Sequence, residues 1–171
     1  MPHLLKQRVI QEYARAYDLP VLVETGTNYA HMIYAQKDHF REIYSIELDA
    51  HKAESARRKF VGNPKVHILE GDSGVVLPKL LPALKDRCIF WLDGHDFNIS
   101  TPVKLELEAL FRDAAHEHAI LIDDANWFDG RGGYPTLAEL QQRITREYPG
   151  RQMDVKHNII RIYKPRAERP K

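Results

Sequence analysis

Val21-Leu22-Val23-Glu24-Thr25-Gly26-Thr27 decides the fold of this chain. Its apolar residues run on without alternation, as in a strand covered on both faces. The run ends in a carboxylate, a small hydroxyl and a glycine, Glu24, Thr25 and Gly26, and the glycine lets backbone approach a ligand closely. Asn28 to His39 can form a helix whose free N–H groups would face that turn. Strand, sharp turn and helix in this order make the crevice where α/β proteins receive nucleotide-like ligands.

The same reading extends outward. Upstream, Leu5, Val9, Tyr13 and Tyr17 recur every four residues and predict an amphipathic helix over 3–17, broken at Asp18-Leu19-Pro20. Downstream, strands are expected at 43–47, 66–70, 88–92 and 119–122. Asp49 caps a helix over 49–60, and a short one interrupted by Pro78 and Pro82 covers 74–84. Thr101-Pro102 opens a helix to about 115. Thr136 and Glu139 have capping-box spacing and open another to about 148. Two strand-like runs close the chain, 152–156 and 159–163, and the His157-Asn158 pair between them suggests a hairpin. Seven strands with helices between the first six predict an α/β fold, a mostly parallel sheet covered on both faces with an antiparallel last strand. The reading is one domain over 1–164 with a flexible basic tail, 165–171.

Bulk properties narrow the function classes. With 171 residues, 43% hydrophobic and 29% charged, the chain is an ordinary globular sequence. A net charge of +1, dispersed along the chain, gives no reason to expect nucleic acid. The one cysteine, Cys88, excludes an intramolecular disulfide and lies in an apolar run, where it reads as a buried small hydrophobe. No apolar run approaches the roughly 18 residues of a membrane span, and the N-terminus lacks the apolar core of a signal peptide. A cytoplasmic protein is expected.

Strands one to five each end in acid: Glu24, Glu47, Asp72, Asp93 and the pair Asp123-Asp124. In a parallel sheet these ends share one rim, where six carboxylates call for something cationic or rich in donors. The bland alternative is that each acid caps the helix after it. Glu47 lies 23 residues after Glu24, close to the spacing at which an acid meets ribose hydroxyls. The G-x-G-x-x-G fingerprint fails, since its later positions hold Asn28 and His31, and this argues for a cofactor without a pyrophosphate. Asp93, Asp123 and Asp124, on strands expected to be neighbours, suit a hard divalent cation such as Mg²⁺. His95, two residues past Asp93, is the candidate base. The other histidines read as surface or loop residues. Trp127, Phe128, Arg131 and Tyr134 lie in a glycine-rich loop that either closes over a ligand or anchors on the following helix.

These motifs in this order resemble the class I S-adenosylmethionine-dependent methyltransferases over essentially all 171 residues. The resemblance is carried by Glu24-Thr-Gly-Thr27, Ser45-Ile-Glu47-Leu-Asp49, Gly71-Asp72-Ser73, Phe90-Trp-Leu-Asp93-Gly-His95 and Ile120-Leu-Ile-Asp123-Asp124. Within the class the chain looks most like small-molecule O-methyltransferases of the macrocin type. The resemblance implies a Rossmann-like doubly wound sheet. It implies that Glu24, Thr25 and Gly26 line the methionine end of the cofactor, that Glu47 holds the ribose, and that Asp72 with Ser73 meets the adenine amino group. Thr27, Asn28, Leu48 and Asp93 complete the implied cofactor set. Catalysis would fall to Asp93 and His95, with Mg²⁺ on Asp93, Asp123 and Asp124, a small-molecule acceptor and a homodimer as further expectations. One departure stands out: the family's first motif carries more glycines, where this chain has Asn28 and Ala30. Two other readings stay open, a binding module that kept the fold without the chemistry, and a metal-dependent hydrolase or hydroxylase using Asp93, His95 and Asp123.

Overall fold

The computed structural model describes residues 4–94, 101–113 and 117–166. The elements are α1 (Leu4–Tyr17), β1 (Val21–Thr25), α2 (His31–Gln36), β2 (Glu42–Glu47), α3 (Ala50–Lys59), β3 (Val66–Glu70), α4 (Ser73–Leu80), β4 (Cys88–Leu92), α5 (Val103–Arg112), β5 (Ala119–Ile122), α6 (Leu137–Glu147), β6 (Gln152–Lys156) and β7 (Ile159–Tyr163). The strands form one sheet in the order β3-β2-β1-β4-β5-β7-β6. All pairs are parallel except β5–β7 and β6–β7. The predicted doubly wound sheet with an antiparallel end is therefore observed. No helix among the described residues is long and apolar enough to cross a membrane.

All five residues of β1 are buried because the sheet is covered twice. Val21 and Val23 join Leu107, Leu110, Leu140 and Ile144 on the side of α4, α5 and α6. Leu22 joins Val9, Ile10, Ile33 and Ala56 on the side of α1, α2 and α3. Period-two alternation thus sends neighbouring residues into two different cores, and both must be apolar.

Helix ends follow local chemistry. Asp49 caps α3, its Oδ1 accepting from the His51 and Lys52 N–H groups at 2.8 and 3.1 Å. The Thr136–Glu139 capping box forms in full: Thr136 Oγ1 accepts from Glu139 N at 3.1 Å, and Glu139 Oε2 accepts from Thr136 N at 2.7 Å. Replacing Thr136 with alanine is expected to cost about 1 kcal/mol in urea unfolding, the usual worth of such a cap. The 74–84 helix divides after Leu80 into α4 and a 3₁₀ turn, Leu81–Ala83, that contains Pro82.

One element differs from expectation. Helix α2 starts at His31 and not at Asn28, because Asn28 and Ala30 have φ of 48° and 60°. Two left-handed residues cannot belong to a right-handed helix. The turn after Gly26 is therefore longer than the sequence suggests, and one of its amides closes it, Ala30 N donating to Thr27 O at 2.7 Å.

Candidate functional site at the carboxyl ends of the strands

β1 pairs with β2 on one side and β4 on the other, so the chain reverses its direction of travel across the sheet at β1. A crevice opens at such a switch point. The registers pair Thr25 with Ile46 and with Leu92, and Leu92 with Ile122. One residue further on, Gly26, Glu47, Asp93 and Asp123 therefore share a row. Backbone bonds carry the ladder onto this row: Gly26 N donates to Ile46 O at 2.9 Å, Asp93 N to Thr25 O at 3.1 Å, and Asp123 N to Leu92 O at 3.0 Å.

Gly26 is required by packing as well as by conformation. Its φ is +85°, and a Cβ added there would lie 2.4 Å from the Asp93 carbonyl oxygen. The glycine foreseen as a place for a ligand to approach is first of all the place where β4 approaches β1.

Glu47 holds two loops together. Its Oε2 accepts from Asn28 N at 2.7 Å and its Oε1 from Asp49 N at 2.9 Å. Each oxygen keeps a further lone pair for a hydroxyl donor. Leu48 stands beside it, half exposed. Asp72 behaves as the bland alternative expected, capping α4 by accepting from Gly74 N at 2.8 Å, with Ser73 buried next to it.

Glu24 is buried, with Ser45 Oγ donating to its Oε2 at 2.5 Å and Thr27 Oγ1 bridging to the same hydroxyl at 2.6 Å. Burial, reinforced by Asp93 and Glu47, pushes its carboxyl up to about 8. Glu24, Asn28, Tyr29, Asp93 and Lys6 line a cavity of 230 Å³ at this crevice. A larger groove of 480 Å³ between α4 and α5 is lined by Leu81, Leu105 and Ala109 and receives none of the strand-end acids, so it is not the chemical centre.

Asp93, Asp123 and Asp124 come together, each offering an oxygen within 4.8 Å of the others. Burial and the neighbouring Asp123 push Asp93 up to about 7. Asp124 has φ 54°, a left-handed position held by the β6–β7 turn: Asn158 Nδ2 donates to Asp124 Oδ1 at 3.1 Å, and Asn158 accepts from Ala125 N and Asn126 N. His95, the anticipated base, lies outside the described residues.

Three residues were missed from the sequence. Lys6 of α1 forms an ion pair with Asp123 inside the acidic cluster. Burial works to lower its pKa, but the Asp123 bond and the surrounding acids outweigh that and leave it raised. A signal was present, since Lys6 precedes Val9 and Ile10 by three and four positions and so lies on the buried face of the helix. Glu106 of α5 is buried beneath the crevice, bonded to the Ser73 and Thr25 hydroxyls, with Oε1 unpartnered and burial pushing it up to about 7. It too interrupts an apolar stripe, Val103, Leu107 and Leu110. His118 is the third; it lies in a loop, as read for the other histidines, but it is buried. It is buried at the opposite rim, accepting from Cys88 N at Nδ1 (2.9 Å) with Asp113 at Nε2 (3.2 Å). Cys88 is inert as expected, its thiol pushed up to about 12 by burial. In the loop after β5, Phe128 and Tyr134 are buried and stack edge to face at 5.3 Å, which anchors the loop, while Trp127 stays partly exposed.

No protein-family model and none of the curated proteins matches the sequence. Solved structures do. A methyltransferase of Podospora anserina, PaMTH1, with S-adenosylhomocysteine bound, is 16% identical over 97% of this chain and 80% of that one, with a TM-score of 0.66. The O-methyltransferase of Bacillus cereus in complex with S-adenosylhomocysteine is 13% identical over 96% of this chain and 82% of its own, at 0.65. The MycE methyltransferase of the mycinamycin biosynthetic pathway, with Mg and S-adenosylhomocysteine, is 18% identical over 95% of this chain and 49% of its own, at 0.64. With the strand order and the antiparallel β7, these likenesses give the chain the fold of the class I S-adenosylmethionine-dependent methyltransferases.

Proposed function

We propose that this protein is an S-adenosylmethionine-dependent methyltransferase that methylates a hydroxyl of a small molecule with help from a divalent cation. The observation that carries the reading is the shared strand-end row. Glu47, a carboxylate with spare lone pairs, stands on one side of the Gly26 turn, and Asp93 with Asp123 stands on the other. An acceptor for ribose hydroxyls and an oxygen set for a hard cation therefore sit two strands apart in one crevice. The neighbours that carry S-adenosylhomocysteine support the same reading.

S-adenosylmethionine supplies an electrophilic methyl carbon on a sulfonium. A divalent cation supplies a Lewis acid that lowers the pKa of the acceptor hydroxyl. The all-oxygen donor set of Asp93, Asp123 and Asp124 fits such a cation, and the crowding that raises Asp93 is relieved by one. The chain's own residues do the positioning. Glu47 would accept from the two ribose hydroxyls, and Glu24 and Thr27 would hold the amino-acid end. Ser73 and Asp72 would meet the adenine amino group. Asp93, ionised, would hold the acceptor side of the crevice, and the base role stays with His95, two positions further along the sequence. Methyl transfer asks little more than alignment and deprotonation.

S-adenosylhomocysteine is expected to raise the melting temperature by about 5–10 °C at a hundredfold excess over its Kd, and Glu47→Gln to remove most of that shift. No shift at millimolar ligand overturns the cofactor reading.

A further inference from the structure

We propose that Lys6 is a tethered cation that occupies the Asp93–Asp123–Asp124 cluster in place of a divalent ion, so that a metal enters only when the lysine leaves. The inference rests on the cation half of the proposed function and not on its cofactor.

Three observations carry it. The Lys6 ammonium is paired with Asp123, one of the three acids whose oxygens lie within 4.8 Å of one another. Two cations on one carboxylate repel, so Lys6 and a divalent ion compete for it. Lys6 sits in the first turn of α1, a turn with no acidic residue. A cation there opposes the helix dipole, and the acid cluster offsets that cost. Finally, the two partners differ in freedom. The Lys6 side chain is 32% exposed and that of Asp123 is 1% exposed, so the lysine can swing into water while the acids stay fixed.

The fold explains why the partner comes from α1. Trp91 and Leu121 lie in the core beneath α1, and Asp93 and Asp123 follow them by two residues on the same face of the sheet. Val9 and Ile10 fix α1 on that core, which directs Lys6 to the strand ends. Charge favours the exchange: with all three carboxylates ionised, one ammonium among them leaves a larger excess of negative charge than a divalent ion in its place.

The test is a calorimetric titration of Mg²⁺ into the full chain without cofactor, for the native protein, Lys6→Met and Lys6→Arg. Lys6→Met keeps the apolar stem and is expected to bind Mg²⁺ about tenfold more tightly or better, while Lys6→Arg stays at the native affinity. Equal affinities in all three, or no Mg²⁺ binding by Lys6→Met, overturn the proposal. Should Lys6→Met fail to fold, hydrogen exchange of the native protein decides. Millimolar Mg²⁺ is expected to speed exchange in the first turns of α1, and unchanged or slower exchange overturns the idea. A gain in Mg²⁺ affinity without any response to S-adenosylhomocysteine supports the role of Lys6 and overturns the cofactor reading.

Discussion

Gly26→Ala is expected to destabilise the protein by roughly 4 kcal/mol or more, at the severe end for a single methyl group. Two costs add. At φ +85° an alanine meets the left-handed penalty, about 1–2 kcal/mol. Its Cβ would also lie 2.4 Å from the Asp93 carbonyl oxygen and 2.9 Å from its carbon, both backbone atoms that no rotamer change can move. The only relief is for β1 and β4 to separate at the crevice, which breaks the Asp93 N to Thr25 O bond and moves Asp93 away from the Gly26 turn. Gly62→Ala is the control. Its φ is +82°, and nothing lies within 4 Å of the added carbon, so it should show the conformational cost alone, about 1 kcal/mol. Urea unfolding of the two variants separates strain from collision. Equal losses would mean that the close approach of the two strands does not exist.

Continuous apolar runs mark β1, β4 and β5 because each faces two cores, and the acids that end them stand out because they interrupt those runs. Glu24, Glu47, Asp93 and Asp123 could be named from that alone. What each acid does could not, because it depends on register. Glu47 reaches two backbone amides, one in the turn after β1 and one after β2, and only the pairing of those strands brings both within reach. Lys6 and Glu106 were overlooked although each is a charge within an apolar helical stripe, a pattern that predicts a buried partner without saying which. His118 carried no such mark. Its partner Cys88 N is 30 residues away and becomes a neighbour only through the β4–β5 pairing. The start of α2 was misplaced because nothing in Asn28 or Ala30 announces two left-handed residues one position apart.

Stability is expected to fall as pH rises from about 5 to about 8, and the acids of the crevice are the cause. Glu24 is held at about 8 and Glu106 at about 7, chiefly by burial, whereas the unfolded chain exposes ordinary glutamates. Between the unfolded and folded pKa values the unfolded chain has released a proton that the folded chain still binds. Raising the pH then favours unfolding, by about 1.4 kcal/mol per pH unit for each such group. The loss ends above the folded values, so the steepest fall lies between about pH 5 and pH 7, where both glutamates and Asp93 act, and Glu24 alone continues to about 8. The sum is on the order of several kcal/mol. Glu24→Gln keeps an acceptor for Ser45 and removes the proton, so it should flatten the upper part of the curve and stabilise the protein above pH 8. Urea midpoints across this range check the result, and a native curve that is level from pH 5 to 8 would sink it. The same proton ties stability to the proposed ligand. The amino group of S-adenosylhomocysteine is cationic, and a cation beside Glu24 favours its ionised form. Binding should therefore release a proton at neutral pH and strengthen from about pH 6 to pH 8. Calorimetry in buffers of different ionisation enthalpy reads that proton directly, and Glu24→Gln should abolish its release, because the side chain then has none to give.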